Sequence, residues 1–368
     1  MNIKALTTTG LSCCLIGFAL IGFKPKSIQK PYTEETFSFK TQNDSIALTG
    51  TLSIPDNFND KSKAVILVPP PHPADEDYNG FYSVLANKLA QQNIAVLGYN
   101  NRAFTDSIYA KSKNYTFLNQ VTDIQNAFYA LKQDKRFKNI KIGLLGHSQA
   151  GTSAAILAHK SKDVDFVVNM SSPGISGVTN NYDNTVQLIN AFFKKYTENE
   201  KEIALHVRKQ YLEIIDTTAQ VNLISDFLYK NAIENFYLYA EAYPKIFGEN
   251  PPKKEYLKTP SPEEIAIVKF KPSVIYSKII CPTLITFGEM DEILNAPKNT
   301  NGFKHIFDSV HKTNYKIITF DSLNHSYEIF KETDLIPKNT IRYHGKEKPK
   351  LQIQTAVFDS VAHWINTL

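Results

Sequence analysis

Cysteine is nearly absent: the 368 residues contain three, two of which are the adjacent Cys13 and Cys14 near the start. Beyond them only Cys281 remains, so a mature chain without its first residues holds no intrachain disulfide and is stabilised by packing. Cys281 stands before Pro282 at the entrance of a strand and reads as a small buried residue rather than a catalytic thiol. A dominant charge is missing too. The net charge of +5 is small for this length, and Lys and Arg are scattered rather than bunched beside stacking aromatics, which argues against nucleic-acid binding. There is no coiled-coil periodicity, no low-complexity tract and no repeat of solenoid length. What the chain does have is apolar residue: 42% hydrophobic and 12% aromatic content suits one main domain with a sizeable insertion.

One segment differs in kind. Lys4 is followed by an uncharged run from Ala5 to Phe23, which ends at Lys24-Pro25-Lys26. The positive start, the apolar stretch and the small-residue exit at Gly17-Phe18-Ala19 fit a secretory signal, and the length also fits an uncleaved membrane anchor. Leu11-Ser12-Cys13-Cys14 has the look of a lipoprotein box, except that Cys13 replaces the usual small residue. Residues 1–30 are therefore expected to be a signal peptide or anchor with a short linker. The globular part, 31–368, is expected to be periplasmic, extracellular or membrane-anchored.

After residue 30, strand and helix signals alternate. Phe37 to Lys40 and Ile46 to Ile54 read as a hairpin around Asn43-Asp44. Ala64 to Val68, Ile140 to Leu145, Val164 to Met170 and Thr283 to Phe287 are short apolar runs suited to strands buried on both faces. Ile94 to Tyr99 and Tyr315 to Phe320 add two more strands. Helical spacing marks Phe81 to Gln91, Val121 to Leu131, Thr152 to His159 and Val357 to Trp364. The fold class predicted is α/β: a mostly parallel, doubly wound sheet whose ligands bind at the carboxyl ends of its strands.

The strand ending at Leu145 runs into Gly146-His147-Ser148-Gln149-Ala150-Gly151 and then into a helix. Such a sharp turn lifts a serine hydroxyl clear of the sheet and demands small residues two places before and after it. Gly146 meets the demand fully and Ala150 in part, the second glycine arriving one residue late. A serine hydroxyl needs an imidazole to take its proton, and the imidazole needs a carboxylate to orient it; in this topology the chain order is serine, acid, histidine. Gly288-Glu289-Met290-Asp291-Glu292 follows one strand, with Asp291 the best acid and Glu289 and Glu292 the alternatives. Asp321-Ser322-Leu323-Asn324-His325 follows the next, making His325 the base. His147 lies beside Ser148 but points elsewhere by its position in the turn, and His159, His305, His311 and His363 read as surface residues.

With these motifs in view, the chain after residue 30 resembles the secreted bacterial α/β-hydrolases and esterases related to dienelactone hydrolases and prolyl oligopeptidases. The matching stretches are Leu48-Thr49-Gly50-Thr51-Leu52 with Pro55, the elbow at 146–151, Ser172-Pro173-Gly174, Cys281-Pro282, Gly288 to Asp291, and Leu323-Asn324-His325. The resemblance implies the α/β-hydrolase fold and hydrolysis of an ester, or less often an amide, with Ser148, Asp291 and His325 catalytic and with neither metal nor organic cofactor. It also implies an oxyanion hole formed by the backbone of Gln149 and by the loop after the first core strand, each donor being worth about 3 kcal/mol. That loop reads Pro69-Pro70-Pro71-His72-Pro73-Ala74 here. Proline carries no N–H, so the second donor falls to His72, or else to Ala74. Asn100 to Thr105 departs from the Asp, Arg, Gly pattern of the relatives.

Between Ser172-Pro173-Gly174 and Cys281 lie roughly 100 residues, far more than a compact connection needs. Their spacing is helical, as at Val186, Ile189, Phe193 and Tyr196, and an aromatic group follows at Phe227, Tyr229, Phe236, Tyr237, Tyr239 and Tyr243. Residues 175–272 are expected to form a helical lid, most of these aromatics building its own small core and a few lining an apolar pocket. Two rival functions stand beside the hydrolase of a small-molecule ester: a non-catalytic relative that binds a ligand or partner in the same cleft, and a membrane-anchored structural protein.

Overall fold

The computed structural model describes residues 30–41, 46–105, 115–192, 194–248, 251–331 and 352–368. The expected signal or anchor, the Asn43-Asp44 turn and Phe193 lie outside them. The described strands are β1 (Tyr32–Lys40), β2 (Ala47–Pro55), β3 (Lys63–Val68), β4 (Ile94–Tyr99), β5 (Lys141–His147), β6 (Phe166–Met170), β7 (Thr283–Gly288) and β8 (Tyr315–Phe320). They form one sheet in the order β1-β2-β4-β3-β5-β6-β7-β8. β2 pairs antiparallel with β1 and β4, and every pair from β4 onward is parallel.

The described helices in chain order are α1 (Phe81–Gln91), α2 (Arg102–Thr105), α3 (Phe117–Gln133) and α4 (Gln149–Lys160). Six more follow between β6 and β7: α5 (Gly177–Phe192), α6 (Glu198–Thr217), α7 (Ile224–Leu238), α8 (Tyr243–Phe247), α9 (Pro262–Val268) and α10 (Pro272–Tyr276). α11 (Ala296–Ser309) joins β7 to β8, and α12 (Ala356–Asn366) closes the chain. Among the described residues, no helix is long and apolar enough to cross a membrane.

Strand order reverses at β3, because α1 carries the chain to β4 on one side and α3 carries it to β5 on the other. The two helices therefore cover opposite faces. Phe81, Leu85 and Leu89 of α1 join Val357, Phe358 and Val361 of α12 in one core. Val121, Ile124 and Phe128 of α3 join Ala154, Ala155 and Ile156 of α4 in the other. β3 and β6 are buried along almost their whole length, which is why their sequences are continuous apolar runs rather than alternating ones. α3 starts at a capping box in which Thr116 and Asn119 satisfy each other's exposed N–H groups.

The inserted helices have a core of their own, made by Leu212, Ile215, Ile224, Leu228, Ile265 and Val268. α6 begins at a second capping box, Thr197 with Glu200. Of the aromatics singled out in this segment, Phe236 packs edge-on to Tyr243 and Tyr243 against Phe247, while Phe227 and Tyr237 are exposed.

Candidate active site

β5 ends at His147 and α4 begins at Gln149, so Ser148 alone makes the turn. It adopts φ 56° and ψ −125°, a conformation that costs a residue with a Cβ and persists only where the surroundings enforce it. Here they do. Ser148 N donates to the Met170 carbonyl at 2.7 Å, and the Ser148 carbonyl accepts from Gly151 N at 3.1 Å and from Ser172 Oγ at 2.8 Å. A Cβ on Gly146 would stand 2.4 Å from the Ala150 carbonyl carbon, so the glycine two places before the serine is obligatory. Ala150 fits, fully buried. Gly151 answers a separate need: a Cβ there would lie 2.0 Å from Ser172 Oγ.

Ser148 is half-buried and lines a cavity of about 210 Å³. Gln149 and Thr152 of α4 line it from the sheet side, and Asn181 and Asn184 of α5 from the inserted helices. None of the six aromatics from Phe227 to Tyr243 lines this cavity, while Phe227 lines a second one together with Ile214 and Leu223.

Asp291 and His325 are brought together. His325 Nδ1 lies 3.0 and 2.8 Å from the two Asp291 oxygens, and the Asp291 side chain is fully buried. Ile293 N and Leu294 N donate to Asp291 Oδ1 at 2.9 and 2.8 Å, fixing the carboxylate from behind. The alternatives, Glu289 and Glu292, hold the same loop by its backbone. Glu292 Oε2 accepts from His325 N at 2.9 Å, and Glu289 Oε2 from Ser322 N at 3.3 Å. Burial pushes the Glu292 carboxyl above its usual range, with His325 pulling it partly back. Gly288 allows the two loops to meet, since a Cβ on it would come 2.3 Å from the Leu323 carbonyl oxygen.

The His147 ring is turned away from the cavity but is not idle. It is buried against Phe81, with ring centroids 4.6 Å apart, and its Nε2 lies 2.8 Å from the His325 carbonyl oxygen. That contact ties the residue before Ser148 to His325. Tyr82 adds a second tie, donating to the Val68 carbonyl at 2.6 Å and accepting from His147 N at 3.2 Å.

The proline-rich loop after β3 is held by its carbonyls. Asn101 Nδ2 donates to Pro70 O at 2.7 Å and also to His72 O, and Gln120 Nε2 donates to Pro69 O. Asn101 and Gln120 are buried, and Arg102 beside Asn101 forms a buried two-pronged pair with Asp123. The His72 side chain is exposed and Ala74 buried. Asn101 and Gln120 carry no spacing signal that separates them from ordinary loop and helix polar residues, which is why sequence reasoning gave neither a role at the site; Glu292 was weighed only as an alternative acid, and it holds the His325 backbone instead.

A model of the alpha/beta hydrolase fold matches residues 72–321, spanning the loop after β3, the elbow and Asp291. The chain belongs to the alpha/beta hydrolase fold family. Among solved structures of this fold, DcsB in complex with its substrate analogue is 13% identical over 91% of this chain and 99% of its own, with a TM-score of 0.52. Est1E from Butyrivibrio proteoclasticus is 13% identical over 90% of this chain and 97% of its own, with a TM-score of 0.48. A dienelactone hydrolase from Anabaena variabilis is 12% identical over 91% and 97%, with a TM-score of 0.47. No curated protein matches the sequence. At such identities the likeness is one of fold, and a fold does not fix a function.

Proposed function

We propose that this alpha/beta hydrolase is a serine hydrolase that cleaves a carboxylic ester, and less readily an amide, through an acyl-enzyme on Ser148. The observation that carries the reading is the His325–Asp291 contact, which lies at the same carboxyl-end edge of the sheet as a strained serine opening on a cavity. His325 Nε2 takes the Ser148 proton as Oγ attacks the carbonyl carbon. Asp291 holds the imidazole in the Nδ1–H tautomer and offsets the charge that it gains. The tetrahedral intermediate expels the alcohol, which leaves with the proton from His325. Water then attacks the acyl-enzyme, giving its proton to His325, and the acid departs as Ser148 is restored.

Gln149 N, at the start of α4, has no carbonyl within the helix to bond and serves as one oxyanion donor; His72 N serves as the other. The clamped Pro69, Pro70 and His72 carbonyls support this, because a donor fixed in advance needs no reorganisation in the transition state. The inserted helices act as a lid, α5 walling the cavity, and residues 1–30 direct export. The rival reading, a non-catalytic binder, is favoured by Pro69-Pro70-Pro71, which supply no N–H.

A fluorophosphonate probe separates the two. At pH 8 it should label Ser148, with no labelling in Ser148→Ala, a strong fall in His325→Ala, and a loss of up to about 10⁴-fold in Asp291→Asn. The labelling rate should fall on acidification, as the His325 imidazole gains a proton and can no longer accept that of Ser148. Folded protein that stays unlabelled, or labelling that survives the loss of His325, makes the binder the correct reading.

A further inference from the structure

We infer that His147 is a positioning residue for the base: it holds His325 where the imidazole can meet Ser148, and takes no part in the chemistry itself. The inference rests on Ser148 and His325 acting as proposed above.

His325 sits in a tight turn beyond β8. Ser322 and Tyr327, on either side of it, have φ of 60° and 59°, the left-handed region that a residue with a Cβ enters only where its surroundings enforce it. A turn of this kind needs outside support. The ring of His325 is secured at one corner, where the two Asp291 oxygens lie 3.0 and 2.8 Å from Nδ1. A ring held at one atom can still swing and carry Nε2 along an arc, unless the Cα is fixed as well. Here both peptide groups of His325 are taken by side chains: its N–H donates to Glu292 Oε2 at 2.9 Å, and its carbonyl lies 2.8 Å from His147 Nε2. A carbonyl oxygen only accepts, so this contact requires His147 to carry its proton on Nε2.

The two ties do different things. Glu292 adjoins Asp291, so it refers His325 to the acid, as the ring contact already does. His147 adjoins Ser148, so it refers the base to the nucleophile through one peptide link and one hydrogen bond. Its own placement is firm. The His147 ring is 3% exposed and lies on Phe81 with centroids 4.6 Å apart, its centroid is 4.9 Å from that of His325, and its N–H donates to the Tyr82 hydroxyl at 3.2 Å. His147 is not among the residues that line the cavity, so its effect on the reaction passes through His325. A general base has to come within about 3 Å of the proton it takes, and a misplacement of about 1 Å costs on the order of 100-fold in rate.

The test is fluorophosphonate labelling of the full-length protein at pH 8. His147→Phe keeps a ring on Phe81 and removes the donor; kinact should fall roughly ten- to a hundredfold, with KI changed by less than about twofold. His147→Gln, whose Nε2 stands as many bonds along the side chain as that of histidine, should recover most of the rate, and His147→Asn, one carbon shorter, should not. That pair makes the same comparison if the phenylalanine variant does not fold. The deciding measurement is made in His325→Ala, which keeps the carbonyl but has no base to place: there His147→Phe should alter the residual rate by less than about twofold. A loss of about tenfold in that background too, a rise in KI in place of the fall in kinact, or no gain from Gln over Asn means that His147 supports the elbow or the fold rather than the base. Each of these, or a phenylalanine variant as fast as wild type, overturns the inference while the serine hydrolase reading stands. Absence of labelling in the wild-type protein overturns that reading, and this inference with it.

Discussion

Glu263 should make the stability of the fold fall as pH rises. It stands on α9, in the inserted helices, and reaches across to the start of α3, where its Oε2 accepts from Phe117 N at 3.0 Å. Its other oxygen is buried with no partner among the described residues. Burial pushes its carboxyl from 4.5 up to about 7, with the Phe117 N–H pulling weakly the other way. A rise of that size is worth roughly 3 kcal/mol. The positive end of α3 favours the carboxylate by about 0.3–1 kcal/mol, so the net effect should be about 2 kcal/mol. Because the folded state binds the proton more tightly than the unfolded chain, this stability is complete below about pH 4.5 and is lost as pH rises through about 7. Glu263→Gln removes the charge, keeps an acceptor for Phe117 and buries an unpaired amide at a cost that does not change with pH. Urea denaturation of both proteins at pH 5 and pH 8 isolates the ionisation. The variant should gain about 2 kcal/mol on wild type between the two pH values. A difference that is the same at both, or that moves against the variant at pH 8, refutes the reasoning.

Gly151→Ala should destabilise the protein by about 1–3 kcal/mol in the same denaturation assay, since its Cβ would meet Ser172 Oγ at 2.0 Å; adding Ser172→Ala should recover part of the loss, and a fully stable single variant would mean that the close approach is wrong. Residues 1–30 should carry the native protein to a membrane or extracytoplasmic fraction, and its recovery in the cytosol would remove the export proposal.

The sheet was legible because buried parallel strands leave continuous apolar runs. Ile94–Tyr99 and Tyr315–Phe320 have the bounds that their sequences suggest, and the helix read as Val121 to Leu131 gains a turn at its start from the Thr116 capping box. Asp291 and His325 were legible because each follows a strand end in the expected order, and the structure places them in contact. The polar groups that hold the surrounding loops were not. Asn101 clamps a loop about thirty residues away, and Glu292 holds His325 by a backbone N–H; neither pairing leaves a local pattern. The insertion's aromatics were legible only in part, because an aromatic run says that packing occurs without saying whether it faces a cavity or a neighbouring helix. The asparagines at 180, 181 and 184, which do line the cavity, look in sequence like an ordinary solvated face.

The tie between His147 and the His325 carbonyl bears on how such a molecule diversifies. His147, beside Ser148, holds the His325 carbonyl, and the loop of Asp291 and Glu292 holds the same residue by its ring and its N–H, all within elements that the insertion does not enter. The insertion leaves the sheet after β6 and returns before β7. Under the proposed reaction, what reacts and what is recognised are thus separable parts of one chain. Replacing the helices between those strands with a segment of different composition would exchange the asparagines of α5 that line the cavity for another surface and leave the His325–Asp291 contact in place, so under the proposed reaction new substrates are reached by splicing rather than by rebuilding the chemistry.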